Sequence, residues 1–444
     1  MIEAPCRDFG QRDKRGPWQA LNNNDSRRKP DRNRTLWSHL LCMVASLHLG
    51  ASAMAADTIK VAHLDPLSGP FALVGDSLSR LLQASMDDEN AKGGVLNGTK
   101  LEQLNFDTKG SPQESVLILK QIIDSGIHFI SIGSGSHIAH ALIESINKHN
   151  SRNPDQAVLL LNLAAQDPLL TNEKCSFWHF RWEANTDMRV NALTDFIAKR
   201  KGTPTVYLIN QDYAFGQAIS RAAKEMIAAK RPDIKVVGDD LHPLGKVKDF
   251  APYVAKIKAS GADTVLTGNW GPDLSLLIKA SKDAGLDVVY YTLNANNVGV
   301  LGTIGKAGSD HIRQILTWHA NVADNKLEKF ANDYKKRFSE DMWINLPKLQ
   351  IDMLAKAIDM AQSADPVKVA MALHGMKFQG ETGEAWMRAD DHQLIVPQYI
   401  ATFTRTGGAV KYDAEGTGDG WKTDVRIEGK DMELPTTCKM EVPR

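Results

Sequence analysis

The feature that most constrains this chain is a repeated alternation of short apolar runs with stretches of helical spacing. Apolar runs recur at 59–64, 101–106, 129–133, 158–163 and 177–182, and helical patterns such as 77–91 and 112–123 lie between them. The rhythm resumes at 206–210, 234–239, 264–268 and 288–293, with helices ending near Ala229, Ala259 and Ala284. Runs this short and this continuously apolar suit strands covered on both faces, and strands alternating with helices build parallel sheets between helical layers. Two such sets predict an α/β protein with two similar parallel-sheet lobes. The helix at 112–123 carries its own start signal: Ser111 as cap, Pro112 in the first turn and Glu114 near the positive end. The later part is less regular, with a strand at 312–318, helices at 326–338, 349–362 and 367–373, a β-run at 394–403 and a tail rich in Gly, Asp and Thr.

The segment before the first strand is not part of this fold. It is polar and basic up to Arg34, then apolar over 36–49, and ends in Ala51-Ser52-Ala53-Met54-Ala55. That order is the pattern of a secretory signal, with cleavage expected near Ala55 and a periplasmic product. Arg27-Arg28 lacks a twin-arginine consensus, and Cys42 follows Leu40-Leu41 rather than the small residue of a lipid-anchor site. No later apolar run approaches the roughly 20 residues of a membrane helix, so no direct membrane insertion is expected after cleavage. Basic and acidic residues balance at 53 each, which offers no footprint for nucleic acid. A mature length of about 390 residues exceeds one comfortable core and supports two domains. Loss of the leader removes Cys6 and Cys42 and leaves Cys175 and Cys438, an even pair in an oxidising compartment that predicts one structural disulfide. The competing reading, Cys175 as a thiol nucleophile with His179 as its base, suits an exported chain poorly.

Ser68-Gly69-Pro70 breaks the first strand before a helix, a junction of the kind that places N–H groups and a hydroxyl where anions are held. Enzyme signatures are weak by comparison. Gly133-Ser134-Gly135 opens like a dinucleotide fingerprint but has Ile138 where the third glycine belongs, and no G-x-S-x-G elbow occurs. His137, His140 and Glu144 share a helix face without a recognised zinc spacing, and a solvated polar face is the better reading. No cofactor, metal or catalytic residue is expected.

Six segments in order, IKVAHLDPLSGPFALVGD, AKGGVLNGTKLEQLNFDTKGSPQESV, LLNLAAQDPLLT, NQDYAFGQA, GNWGPDLSLLIKASKDAGL and WMRADDHQLIVPQYIATF, resemble the periplasmic solute-binding proteins of ABC importers in the branched-chain amino acid (Leu/Ile/Val-binding) family. The resemblance runs from about Ile59 to about Arg405. It implies the type I periplasmic-binding fold: two lobes joined by a three-strand hinge, with crossings near Arg181, Trp318 and Trp386. On that plan 1–55 is an over-long signal segment, 57–182 plus 316–384 form lobe one, and 183–315 plus 385–444 form lobe two. Cys175 would then lie near the hinge and Cys438 at the end of lobe two.

The resemblance also implies a ligand site. Relatives hold a ligand carboxylate through backbone N–H groups and hydroxyls of two strand-end loops, which match Gly133-Ser134-Gly135-Ser136 and Ala164-Ala165-Gln166 here. The facing aromatic walls match Tyr213, Phe215 and Trp270, with Phe71 and Leu73 at the apolar end. Blander roles exist for each: lobe packing for Trp270, helix capping for Ser134 and Ser136. Where amino-acid binders place a carboxylate for the ligand's ammonium, this chain has Asn294 at or beside the position, within an Asn-rich run that lets the alignment slip. An ammonium left unpaired in a closed cleft costs several kcal/mol, so the ligand is expected to be a small carboxylate, an aromatic or aliphatic acid, or else an amino acid whose charge Asp212 or Asp273 meets. The implied partner is a membrane permease; the implied role is capture and delivery rather than catalysis. The rival readings are a sensor component feeding a receptor and an exported hydrolase.

Overall fold

The computed structural model describes residues 58–133, 135–202 and 204–443. The leader with its cleavage point near Ala55, and Ser134, lie outside the described residues. The chain opens with β1 (Thr58–Asp65), α1 (Ala72–Ala91), β2 (Lys100–Asp107), α2 (Pro112–Asp124), β3 (Phe129–Ile132), α3 (Ser136–Arg152), β4 (Leu159–Asn162) and β5 (His179–Arg181). These strands pair in parallel in the order β2-β1-β3-β4-β5. Every residue of β3 and β4 is buried, as a sheet covered on both faces requires. The start signal of α2 is in place: the Ser111 hydroxyl accepts from the Glu114 N–H at 3.3 Å.

A second lobe follows with α4 (Thr186–Ala198), β6 (Thr205–Gln211), α5 (Ala214–Lys230), β7 (Lys235–His242), α6 (Ala251–Ser260), β8 (Thr264–Thr267), α7 (Pro272–Asp283), β9 (Val289–Thr292), α8 (Val300–Ile304) and β10 (Ile312–Leu316). The chain then returns with α9 (Glu328–Phe338), α10 (Leu346–Ala361) and α11 (Pro366–Leu373), and both α9 and α10 pack against α1. A small antiparallel sheet of β11 (Lys377–Gly380), β12 (Gly383–Met387) and β13 (Leu394–Ile395) comes next, bridged to the first lobe at Arg181 and Gln393. Last come β14 (Gln398–Arg405), β15 (Asp419–Ile427) and α12 (Gly429–Met432). The second sheet has the order β15-β14-β10-β9-β8-β6-β7, parallel except that β14 runs against β10 and β15.

The β-run expected over 394–403 is two strands in two different sheets. Pro397, which lacks an N–H, sits at the break and ends the pairing of β13 before β14 begins. β12 runs through residues 384 and 385, and the chain enters the second sheet only at β14. The tail then folds back on the first lobe. The Thr436 hydroxyl donates to the Thr171 carbonyl at 2.7 Å, and the Thr437 N–H to Asn172 Oδ1 at 2.9 Å. The expected Cys175–Cys438 disulfide is present beside them, with the two Cα atoms 5.7 Å apart.

Candidate functional site

In a parallel α/β sheet the loops at the carboxyl ends of strands collect side chains and N–H groups at one edge. Here the carboxyl ends of both sheets face one cavity. The first lobe contributes Gly133 and Ser136 after β3 and Ala164 and Gln166 after β4. The second contributes Tyr213 and Phe215 after β6, Trp270 after β8, Asn294 after β9 and Thr317 after β10. The cavity leaves about 50 Å³ for the centres of water molecules. One water needs about 10–15 Å³ by that measure, so the space corresponds to roughly three to five waters, or about 100–150 Å³ of liquid.

Aromatic groups link the two lobes beside the cavity. Phe71, at the start of α1, stacks on Trp270 of the other lobe with ring centroids 3.9 Å apart. The Trp270 Nε1–H donates to the Tyr213 hydroxyl at 3.0 Å, and His137 on α3 meets the Tyr213 ring edge-on at 5.4 Å. The lobes are therefore in contact beside the cavity. Phe71 stands behind Trp270 rather than on the cavity wall. Gly271, at φ 56°, follows Trp270, and a Cβ there would lie 3.2 Å from the Phe71 ring. A side chain at this position meets both an unfavourable backbone conformation and a filled space.

The polar groups differ from expectation in three respects. First, Ala165 does not face the cavity. Its N–H is taken by Asn162 Oδ1 at 2.7 Å and its methyl is buried in the core under β1, β3 and β4, because neighbouring residues of an extended loop point to opposite sides. Second, neither Asp212 nor Asp273 reaches the site. Asp212 is exposed, and Asp273 accepts from Gln211 Nε2 at 2.8 Å and from the Gly245 N–H at 2.9 Å. Third, a buried carboxylate and a buried guanidinium that sequence reasoning missed both line the cavity. They are Glu183, just after β5, and Arg189, early in α4.

Glu183 and Arg189 are built in tightly. Asn185 caps α4 by accepting from the Met188 N–H at 2.9 Å, which fixes the turn between them. Arg189 Nη1 donates to Gln166 Oε1 at 2.8 Å, and Nη2 donates to the carbonyls of Leu293 and Ile315, each at 2.7 Å. Its Nε–H has no partner among the described residues. Glu183 accepts from the Ala184 N–H at 3.0 Å and stands 3.8 Å from Arg189. Burial pushes the Glu183 carboxyl above the usual range, with Arg189 opposing it, and burial likewise pushes Arg189 down. The only local signal for this pair is the cap sequence Asn185-Thr186-Asp187 after an apolar strand.

The remaining residues occupy consistent places. The Ser136 hydroxyl accepts from the Asp167 N–H at 3.2 Å, which keeps its own proton for another acceptor. Asn294 lines the cavity while its Nδ2 donates to the Gly268 carbonyl at 3.1 Å. Trp343 and Ile344, which precede α10, were not expected; they close the far wall, and Trp343 Nε1–H donates to Ser77 Oγ at 2.8 Å. Among the described residues no cluster of His, Cys, Asp and Glu is arranged to hold a metal. His140 instead meets Asp167 at 2.6 Å, and Glu144 pairs with Lys148.

Residues 58–409 match the family model described as periplasmic binding protein. The chain is 31% identical over 418 residues to the Leu/Ile/Val-binding protein homolog 4 of Brucella melitensis, an alignment covering 92% of this chain and 98% of that relative. Among solved structures, it is similar to the closed form of the leucine-, isoleucine-, valine-, threonine- and alanine-binding protein of Brucella ovis. That similarity has a TM-score of 0.77 and 29% identity, and covers 87% of this chain and 100% of the other. A solute-binding protein of Rhodopseudomonas palustris HaA2, solved with p-hydroxybenzoic acid, shares the fold at TM-score 0.72 and 22% identity, with 84% and 98% of the two chains covered. The chain belongs to the periplasmic binding proteins, as a member of the Leu/Ile/Val-binding family of ABC-importer solute-binding proteins with the type I fold.

Proposed function

We propose that this chain captures a small apolar amino acid in the interlobe cavity and presents the closed form to the permease of an ABC importer, in the periplasm after removal of its leader. The observation that carries this reading is the pair of buried opposite charges, Glu183 and Arg189, on the wall of an otherwise largely uncharged cavity. The ligand carboxylate is assigned to the Ser136 hydroxyl, the strand-end loop at Ala164 and Gln166, and the unspent Nε–H of Arg189. Its ammonium is assigned to Glu183, which meets the charge that Asn294 leaves unmet. Tyr213, Phe215 and Trp270 wall the side chain, a use of aromatic faces that buries large area with few rotamers to freeze. The named ligands of the 31%-identical relatives agree with this assignment. Closure draws on tighter ligand binding in the closed state than in the open one, about the crossings after β5, β10 and β13.

One observation favours a second reading. Burial drives Glu183 toward its neutral form, and a neutral acid in a cavity with aromatic walls suits a small aromatic carboxylic acid. Calorimetric titration with leucine, valine and 4-hydroxybenzoate separates the two. The amino-acid reading expects leucine or valine to bind, and Glu183→Gln to weaken that binding by tenfold or more, about 1.4 kcal/mol. Tight 4-hydroxybenzoate binding that Glu183→Gln leaves unchanged overturns it in favour of the second. Chemical turnover of any of these compounds overturns both.

A further inference from the structure

A second cavity opens beyond Trp343 and Asn296, which stand on the walls of both; by the same measure as before it holds about 100 Å³. The Asn296 Nδ2 donates to the Trp343 carbonyl at 2.7 Å, and this bond forms the partition. The walls come from both lobes: Leu301 of α8 and residues of the β14–β15 connection on one side, α9 and Met342 on the other. Three tryptophans line it, Trp318, Trp343 and Trp421.

The rim is acidic. Glu328, Asp341, Asp413 and Glu415 line the cavity with Lys335 as the one lysine among them. Asp341 is matched by Lys335 at 2.6 Å, and Glu328 by Lys411 at 2.7 Å. Among the described residues neither of the other two is paired with a cation. Asp413 accepts the Gly418 N–H at 3.1 Å, and Glu415 accepts the N–H groups of Gly299 and Gly302. Burial raises the Glu415 carboxyl above the usual range, the Gly302 and Gly299 N–H groups oppose it, and the neighbouring Asp341 and Glu340 carboxylates add to it. An aromatic-lined space edged by carboxylates that are not all paired with a cation is complementary to a cation carrying an apolar body.

We propose that this second cavity is a binding site for a small organic ammonium, separate from the carboxylate-binding cleft. Because both lobes supply its walls, its occupant binds the closed form more tightly than the open one. By linkage it then raises affinity at the main cleft by the same factor that the main ligand raises its own.

The test titrates the full mature chain with phenethylammonium at neutral pH and low salt, with 2-phenylethanol as its uncharged counterpart. The expected result is saturable one-to-one binding of phenethylammonium and at least about tenfold weaker binding of the alcohol. Ala331→Phe, which fills the cavity from α9, should abolish binding, and Asp413→Asn, at a half-buried rim position, should weaken it several-fold. Trp270→Ala, in the other cleft, should leave a site for the cation. Absence of saturable binding, equal binding of the alcohol, or loss in Trp270→Ala with retention in Ala331→Phe each overturns the proposal.

Discussion

Joining Cys175 to Cys438 closes a loop spanning 263 positions, which contains every strand of the seven-stranded sheet. In the chain-entropy description, closing a loop of that length removes about 19 cal/mol/K from the unfolded ensemble, or about 5–6 kcal/mol at 25 °C. The unfolding entropy of about 390 residues near 60 °C is roughly 0.8 kcal/mol/K, so loss of the link should lower Tm by about 7 °C. Removing the bridge also frees the tail, whose bonds to Thr171 and Asn172 then hold without a covalent tether. The perturbation is the Cys175→Ser, Cys438→Ser double variant, compared with the unsubstituted mature chain by calorimetry, with thiol-reactive mass labelling to confirm that Cys175 and Cys438 are both unreactive there. A drop of several degrees is expected. A Tm within about 1 °C of the unsubstituted chain would refute the argument, since a cross-link closing so long a loop would then not be limiting the unfolded state.

Trp270→Ala removes the ring that stacks on Phe71 and walls the cavity, and should weaken ligand binding by about 2 kcal/mol or more, roughly 30-fold, in calorimetric titration; unchanged affinity removes Trp270 from the site. Stability should also depend on pH through two buried histidines. Burial pushes His319 down to about 3, and burial with the neighbouring His374 does the same for His392, from an ordinary value of 6.5. Between those limits the unfolded chain binds more protons than the folded one, so stability is lost as pH falls from about 6.5 toward 3. Each histidine contributes a slope of up to about 1.4 kcal/mol per pH unit. Tm measured from pH 7 to pH 4 should fall with this sign, and His319→Gln should flatten the fall; the same slope in the variant would remove His319 from the account.

The parallel strands were legible because they are buried on both faces: β3, β4 and β8 are short, largely apolar runs with every residue covered. β11 and β15 were not, because they alternate polar and apolar residues on a half-exposed surface and look like loop in a Gly- and Asp-rich context. The break at Pro397 was visible as a residue but not as a change of sheet, since nothing local states which neighbour a strand will pair with. The same distinction divides the site. Tyr213, Phe215, Trp270 and Asn294 lie at the ends of apolar runs, but it is the family resemblance that marks them as candidate ligand contacts. Glu183 also follows an apolar run, but nothing local marks its carboxylate as buried, and Arg189 and Trp343 lie on or before helices where no strand end points to them.

The Phe71–Trp270 stack has a consequence for timing. Its rings belong to different lobes and meet at 3.9 Å, with Gly271 leaving room for their approach. Any separation of the lobes must break this stack, so its rate includes the cost of unstacking two aromatic rings of which Trp270 lines the cavity. A substitution at residue 71 can therefore change how readily the two lobes part without altering the groups on the cavity wall.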